Sequence, residues 1–451
     1  MPFSQVIGNR SAGHLVSLSI ACGAPDPLAF FQAGTAGHRF FWRSPSGTTI
    51  VGLGAVYTIR MNAGAQRFKR IARSWQKLME TAVCQGPGPI LFGGFSFWDD
   101  VAPKYWGSFG SGCFYLPLFM LTISAGESVL TVNLACPASE PRAVSLRRAK
   151  EAAGRLLEKV AGRRHRDVAD YPLSSADRQP NEWKGRVRQA VSAIRSGVME
   201  KVVLTRTREL NFARHPDPSA VLDRLLDRQP GSFIFCLESG RDYFIGASPE
   251  RLLYKQGEQI RSACVAGSIR RGSGDDEDRR LGRKLLEDEK NGREHRYVVE
   301  MVQAILRPLC VSLEIPEQPR LLKSRNIQHL YTPVLARCAA DLSLFELVER
   351  LHPTPALGGF PRKPALEWLK QHEKVERGLY GGPIGWCDAR GNGEFAVGIR
   401  SALIRDRLAV LYAGCGIIDH SEADKEFYET ALKFTPMLDG LGLGAANLGT
   451  C

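Results

Sequence analysis

Two carboxylates and an ammonium group share one side of a segment near the end of the sequence. Glu426, Glu429 and Lys433 follow at i, i+3 and i+7, which puts them on one helical face. Phe427, Ala431 and Phe434 form a neighbouring apolar face that would anchor the helix. Ser421 with Asp424 three residues on is a loose capping box, so the helix is predicted to begin near Ser421. Such a charged face is either solvated surface or a set of ligands. A second carboxylate bears on the choice. Glu294 shares the apolar stripe of Val298, Met301, Val302 and Ile305 on a helix predicted over Leu285 to Leu306. A carboxylate turned toward a core must be paired, hydrogen-bonded or bound to a metal. A buried ion pair with an arginine is one reading. The other is a hard divalent ion held by Glu294 and the Glu426/Glu429 face. Magnesium suits that set, since it takes one or two carboxylates and completes its shell with water or substrate oxygens.

The elements that must position these groups follow from periodicity. Residues 1 to about 135 read mainly as strands and turns, with one helix from about Ala65 to Val83. The first 25 residues carry one fixed positive side chain, Arg10, and read as the first strand and its approach. Gly93 to Phe97, followed by Asp99, Asp100 and Pro103, reads as a strand ending in a loop. Gly52-x-Gly54 lacks the third glycine and helix start of a dinucleotide site. Ala143 to Gly162 is a basic amphipathic helix. Tyr171 to Asn181 reads as a loop and a candidate boundary.

From Trp183 helices and strands alternate. Strands are predicted at Lys201–Arg206, Ser232–Glu238, Tyr243–Ala247, Glu250–Tyr254 and Gln259–Val265, with a polar loop from Gly267 to Glu277. Later, Gly393–Ile404 and Arg407–Ala413 read as an antiparallel pair, and Ala413-Gly414-Cys415-Gly416 as a glycine-rich turn. The tail from Gly440 to Gly449 reads as a flexible terminus.

The composition of the 451 residues bounds the function. Hydrophobic residues make up 44% and charged residues 24%, which suits a globular protein with a sizeable core. No apolar run approaches the roughly 20 residues of a membrane span. The net charge of +13 is compatible with nucleic acid, an acidic membrane or an anionic small substrate. The arginines are strewn in patches with no basic stripe among aromatics, which argues against a nucleic-acid surface. The eleven cysteines stand singly without metal-ligand spacing, a pattern that fits a reduced, cytoplasmic chain better than a disulfide framework.

An ordered set of motifs then becomes specific. It runs Lys201-Val-Val-Leu-Thr-Arg206, Ala247-Ser-Pro-Glu-Arg-Leu252, Ala266-Gly-Ser268, Asp288-x-Lys290 with Glu294-His295, and His329-Leu-x-Thr332. It continues with Leu351-His-Pro-Thr-Pro355, Gly358-Gly359, Arg377-Gly-x-Tyr-x-Gly-Pro383, Gly393 to Ser401, Ala413 to Ile417 and Glu426-x-x-Glu429-x-x-x-Lys433. Taken together they resemble the chorismate-utilising enzymes, in the family's order, over roughly residues 180 to 440. Pro25 to Leu28, Arg39 to Trp42 and Phe92 to Phe95 are similar to the isochorismate synthase branch.

The resemblance implies an α+β fold, a large single domain over 1–451 with layered antiparallel sheets and outer helices. Within it lie a strand-rich part (1–170) and a catalytic region (181–440). It implies a Mg²⁺-dependent isochorismate synthase, an isomerase that adds water at carbon 2 of chorismate and expels the hydroxyl at carbon 4. Lys201 would be the base and Glu250 the acid, and a carboxyl acting as acid must have its pKa raised. Glu294, Glu426 and Glu429 would hold the metal. Tyr380, Arg400 and Lys433 would hold the substrate's carboxylates, with Gly267, Ser268, Gly414 and Gly416 close to the anion. Amine-transferring members lack a lysine at the position of Lys201, and some carry a nucleophilic lysine where this chain has Ala266. Water is therefore the expected nucleophile and no glutamine amidotransferase subunit is expected. Salicylate synthase, which adds pyruvate elimination in the same site, is the alternative within the family. A basic nucleic-acid-binding protein is the alternative outside it. The resemblance leaves the quinone, salicylate and siderophore pathways all open.

Overall fold

The computed structural model describes residues 13–443 apart from 62, 63, 65, 100–104, 166–170, 326, 340 and 341. The approach to the first strand, the Asp100 to Pro103 loop and the tail beyond 443 lie outside the described residues.

Two large sheets stack face to face. The first runs in spatial order β10 (Pro172–Asp177), β11 (Lys201–Phe212), β23 (Leu408–Ile417), β22 (Ser401–Arg405), β13 (Asp242–Ser248), β12 (Phe233–Ser239) and β2 (Arg39–Arg43). It continues through β3 (Thr49–Leu53), β8 (Phe119–Ser124), β9 (Glu127–Pro137), β1 (Gly13–Ala21) and β5 (Val83–Gln85), while β19 (Gly359–Phe360) pairs beside the start of β11. The second sheet runs β16 (Cys310–Glu314), β18 (Ile327–Cys338), β15 (Gln259–Arg270), β14 (Arg251–Gln256), β21 (Gly393–Val397), β20 (Pro383–Asp388), β6 (Ile90–Phe95), β7 (Gly112–Leu116) and β4 (Tyr57–Met61). There β17 (Arg320–Lys323) pairs with β18. Apart from the parallel β1–β5 pair, the ladders are antiparallel. Each sheet takes strands from the first third of the chain and from the rest.

Both faces of the central strands of the larger sheet are buried, which explains their nearly continuous apolar character. In β2, Phe40 and Trp42 point into the layer between the sheets, while Phe41 points to the outer layer. β12 alternates likewise, with Phe233, Phe235 and Leu237 inward and Ile234 and Cys236 outward. The inner layer is aromatic, with Phe40 stacked on Phe92 at 4.2 Å across the two sheets. Helices α1 (Pro27–Ala33), α3 (Arg142–Val160), α5 (Pro218–Arg228) and α10 (Ala423–Gly440) cover the outer face of the first sheet. On the second, α2 (Arg67–Glu80), α7 (Glu289–Leu306) and α8 (Leu344–Leu351) bury Ile71, Val298 and Leu347. α4 (Pro180–Arg195) and α9 (Arg362–His372) close over the end of β11 and β23. α6 (Asp275–Glu287) lies beside β15 and β18. No helix among the described residues is long and apolar enough to cross a membrane.

Several expectations change. Tyr171–Asn181 is not a loop: β10 pairs with β11, and Arg206 and Arg208 both reach Asp177 across it. Its polar residues are those of an exposed edge strand. The helix expected over Leu285–Leu306 is two helices, because the Asp288 side chain accepts the N–H of Asn291 and starts α7 afresh. The polar loop expected over Gly267–Glu277 is shorter, since β15 runs on to Arg270 and α6 begins at Asp275. Gly393–Ile404 is split between sheets, with β21 in the second and β22 in the first. Ala413–Gly416 is not a turn but part of β23, paired with β11. Ser421 does not cap α10: its hydroxyl accepts from the N–H of Ile418, and Glu422 occupies the cap position. Finally, Cys310 and Cys338 form a disulfide, against the expectation of unpaired cysteines. They are 28 residues apart and are set opposite each other by β16–β18 pairing.

Candidate active site

A cavity partly open to solvent lies where β11, β23 and the crossover between the sheets meet the bulge of β15. Of the residues expected at the site, Glu250, Gly267, Ser268, Glu294, Tyr380, Arg400, Gly414, Gly416 and Lys433 line it. Val203, Leu357 and Ile399 supply apolar wall. Lys201 stands just behind Gly416, fully buried as the first residue of β11. Glu426 and Glu429 do not line the cavity; Glu429 reaches it through Lys433, while Glu426 holds Lys290 outside its lining.

The backbone explains the placement. Glu250 sits in the turn between β13 and β14, where its carbonyl accepts from the N–H of Val397 on β21. Arg251, a natural partner for it, turns away to Glu394 at 2.8 Å. Burial therefore pushes the Glu250 carboxyl up to about 8, against the pull of the Lys201 and Arg400 charges. Arg400 occupies the crossover from β21 to β22, at a positive φ of 50°. Its burial lowers the guanidinium to about 10, still charged at neutral pH. Gly267 forms the β15 bulge at φ 76°, a backbone conformation that favours glycine. The Ser268 N–H that follows is held by the Asn291 side chain at 3.1 Å.

Two of the expected glycines have a different role from turn chemistry. A Cβ on Gly416 would stand 2.4 Å from Glu294 Oε1 and 2.8 Å from Lys201 Cε. A Cβ on Gly414 would stand 3.1 Å from the Tyr380 hydroxyl. Neither glycine has a positive φ. They make room on a strand for the side chains of Lys201, Glu294 and Tyr380. Tyr380 itself stacks on Tyr412, with ring centroids 5.2 Å apart.

Three carboxylates and three lysines form the charged side. Glu294 Oε1 lies 2.9 Å from Lys201 Nζ, so the partner of this buried carboxylate is a lysine and not an arginine. Glu426 pairs with Lys290 at 2.7 Å and Glu429 with Lys433 at 2.6 Å. Lys433 also donates to the carbonyl of Gly414 at 2.9 Å. Burial alone would raise the Glu294 carboxyl. The ammonium groups of Lys201, Lys433 and Lys290 outweigh it and hold the carboxyl below its usual value. Burial and the charge of Glu429 together push Glu426 the other way. Lys290 feels the negative charge of all three carboxylates, which overcomes its burial and holds its ammonium above the ordinary lysine range. Each of the three carboxylates thus already holds a lysine ammonium of its own. Their oxygens are the donors a hard divalent ion prefers. Among the described residues, no group of three side chains is already gathered in ligating geometry.

Sequence reasoning missed His329, Asn291 and Lys290 as site residues. His329 lines the cavity, with Nε2 3.2 Å from Arg400 Nη2 and Nδ1 2.8 Å from the Ser268 hydroxyl. A guanidinium can only donate, so Nε2 accepts and Nδ1 carries the proton. Nδ1–H then donates to the Ser268 oxygen, which leaves the serine hydrogen for a group in the cavity. Burial, with Arg400 adjacent, keeps His329 neutral by lowering it well below the usual histidine range. All three residues stood within the quoted motifs or next to Lys290, and polar residues there were the available signal. Behind the cavity, Arg377 is fully buried, paired with Glu373 at 2.5 Å and donating to the carbonyls of Val203 and Leu357. It ties the turn that carries Tyr380 to β11.

Comparison with known proteins follows the same outline. A model of the chorismate binding enzyme family matches residues 3–442. The isochorismate synthase MenF of Bacillus subtilis is 39% identical over 95% of this chain and 93% of its own length. The salicylate biosynthesis isochorismate synthase of Pseudomonas aeruginosa is 35% identical over 97% of this chain and 93% of its own. Among solved structures, a putative 2,3-dihydroxybenzoate-specific isochorismate synthase from Bacillus anthracis superposes with a TM-score of 0.74 at 26% identity, covering 93% of this chain and all of that one. The menaquinone-specific enzyme of Escherichia coli shares the fold, with a TM-score of 0.79, 24% identity and 95% of both chains covered.

Proposed function

The chain belongs to the chorismate-binding enzyme family, and on that premise we propose that it is an isochorismate synthase, an isomerase converting chorismate to isochorismate. Water adds at ring carbon 2, the ring double bonds shift, and the hydroxyl at carbon 4 leaves. One water enters and one departs, so the product is an isomer of the substrate. To act as the base Lys201 must be the neutral amine, and in that form it takes the proton of the incoming water. Glu250 gives its proton to the departing hydroxyl. Exchange with solvent restores both groups.

One observation carries this reading. Glu250 is a fully enclosed carboxyl raised to about 8, hence protonated at neutral pH, and it lines the same cavity as Glu294, the partner of the buried Lys201. Arg400, Lys433 and Tyr380 bind the substrate's carboxylates, and Arg400 is braced for this by neutral His329. The apolar wall excludes bulk water from the ring.

Glu294, Glu426 and Glu429 would hold a magnesium ion. The fit is supported by their oxygen donors and by the cation that each of them already holds. Bound there, the ion would supply positive charge to the substrate's ring carboxylate. The 1–170 and 181–440 parts act as one domain, a reading supported by sheets that interleave strands from both. Water as nucleophile needs no ammonia-delivering partner.

The test is product analysis after incubation with chorismate, with Mg²⁺ or with chelator, by chromatography and mass detection. Isochorismate formed only with Mg²⁺, and lost in Lys201→Ala, is the expected result. Salicylate with pyruvate would assign the chain to the salicylate synthase reaction instead. No turnover, together with salt-sensitive DNA retention, would overturn the enzyme reading.

A further inference from the structure

In the charged cluster beside the cavity stands a residue that the reaction above leaves without a task, Lys290. Lys290 lies in the first turn of α7, two residues after the Asp288 cap. A cation there opposes the partial positive charge of its own helix N-terminus. Its partner Glu426 lies in the first turn of α10, where a carboxylate is favoured. The pair is asymmetric in burial as well. The side chain of Glu426 is 2% exposed and that of Lys290 36%. Glu426 is fixed in the interior, while Lys290 reaches it on a flexible stem from the surface. Glu294 and Glu429 hold Lys201 and Lys433, so Lys290 is the cation that neutralises Glu426, the most buried of the three carboxylates.

We propose that Lys290 is a built-in counter-cation: it stabilises the carboxylates of the metal-free enzyme, and it must leave Glu426 when a divalent ion binds. This rests on the magnesium reading given above. A bare cluster of buried carboxylates would repel itself and weaken the fold. The lysine removes that repulsion and lowers metal affinity in return, since each binding event must first break the 2.7 Å pair. On release, the ammonium swings outward into solvent at little cost, because its stem already reaches the surface. Lys290 is thus a positioning residue that sets the metal affinity, not a group that touches reacting atoms. Lys201 and Lys433 differ from it: they are fully or largely buried, Lys433 lines the cavity and Lys201 stands behind Gly416.

The experiment is calorimetric titration of the full chain with MgCl₂, without chorismate, alongside thermal unfolding with and without the ion. Lys290→Met removes the charge and keeps the stem. It should bind Mg²⁺ about tenfold more tightly than the wild type, equivalent to about 1.4 kcal/mol. Its melting temperature without metal should fall, and Mg²⁺ should raise it by more than in the wild type. If the methionine variant does not fold without metal, Lys290→Gln carries the same expectation. Lys290→Arg keeps the charge and should bind Mg²⁺ no more tightly than the wild type. Unchanged or weaker Mg²⁺ binding in the methionine or glutamine variant would overturn the proposal while leaving the wild-type metal site intact. A wild-type chain that binds no Mg²⁺ would overturn the metal reading, and this proposal with it.

Discussion

Gly416→Ala is the most discriminating substitution, because it adds one methyl group and no charge. The new Cβ would stand 2.4 Å from Glu294 Oε1, 2.8 Å from Lys201 Cε and 3.0 Å from Glu294 Cδ. All three lie well inside normal contact. At Gly416 β23 is paired with Val203 of β11, which limits how far the strand can shift. Lys201 is fully enclosed and has no space to yield. The 2.9 Å pair between Lys201 and Glu294 must therefore open. Overpacking of this kind costs about 1–3 kcal/mol of stability. A misplacement of about 1 Å at reacting groups costs on the order of 100-fold in rate. The assay is kcat for isochorismate formation, with urea unfolding on the same preparation. Gly414→Ala is the control, because its nearest neighbours are 3.1 Å away and it should lose much less. A folded Gly416→Ala enzyme with wild-type kcat would refute the claim that this glycine makes room for the Lys201–Glu294 pair.

Glu250 ties activity and stability to pH in a single direction. Its carboxyl is raised from 4.5 to about 8, so the folded chain holds a proton that the unfolded chain has lost. Stability should decline as pH rises from about 5 to 8, and Glu250→Gln should flatten that decline in urea titrations at several pH values. The rate should fall as pH passes about 8, and Glu250→Gln should lose about 10²–10⁴-fold in kcat at neutral pH. Arg377→Met leaves Glu373 buried without its charge partner and should cost about 3–5 kcal/mol by urea unfolding. His329→Leu removes the acceptor that braces Arg400 and the donor to Ser268. It should raise KM for chorismate more than it lowers kcat, which steady-state kinetics would separate.

What the sequence made legible was local. Glu294 stood out because a carboxylate on an apolar helical stripe is anomalous in any fold. The i, i+3, i+7 face of Glu426, Glu429 and Lys433 followed from helical spacing alone. The resemblance supplied the layered architecture, and the stacked antiparallel sheets with outer helices bear it out. What stayed illegible depends on contacts between distant segments. Gly414 and Gly416 look like a turn in one dimension, since nothing local says that Lys201 and Glu294 will press against that strand. The split of Gly393–Ile404 between two sheets is a matter of which partners each half meets. The lysine partner of Glu294 lies 93 residues earlier in the chain, by subtraction of their positions, and an arginine was the commoner expectation. Asp288 ended one helix and began another by a side-chain bond that helical periodicity on either side conceals.

The central claim is that water, activated at Lys201, adds to chorismate while Glu250 releases the carbon 4 hydroxyl. Turnover in ¹⁸O-labelled water, with Mg²⁺ present and the product analysed by mass spectrometry, tests it most directly. Isochorismate carrying one solvent oxygen at carbon 2 is the predicted result. Isochorismate without label would mean that the substrate's own hydroxyl migrates, and would contradict the roles assigned to both residues.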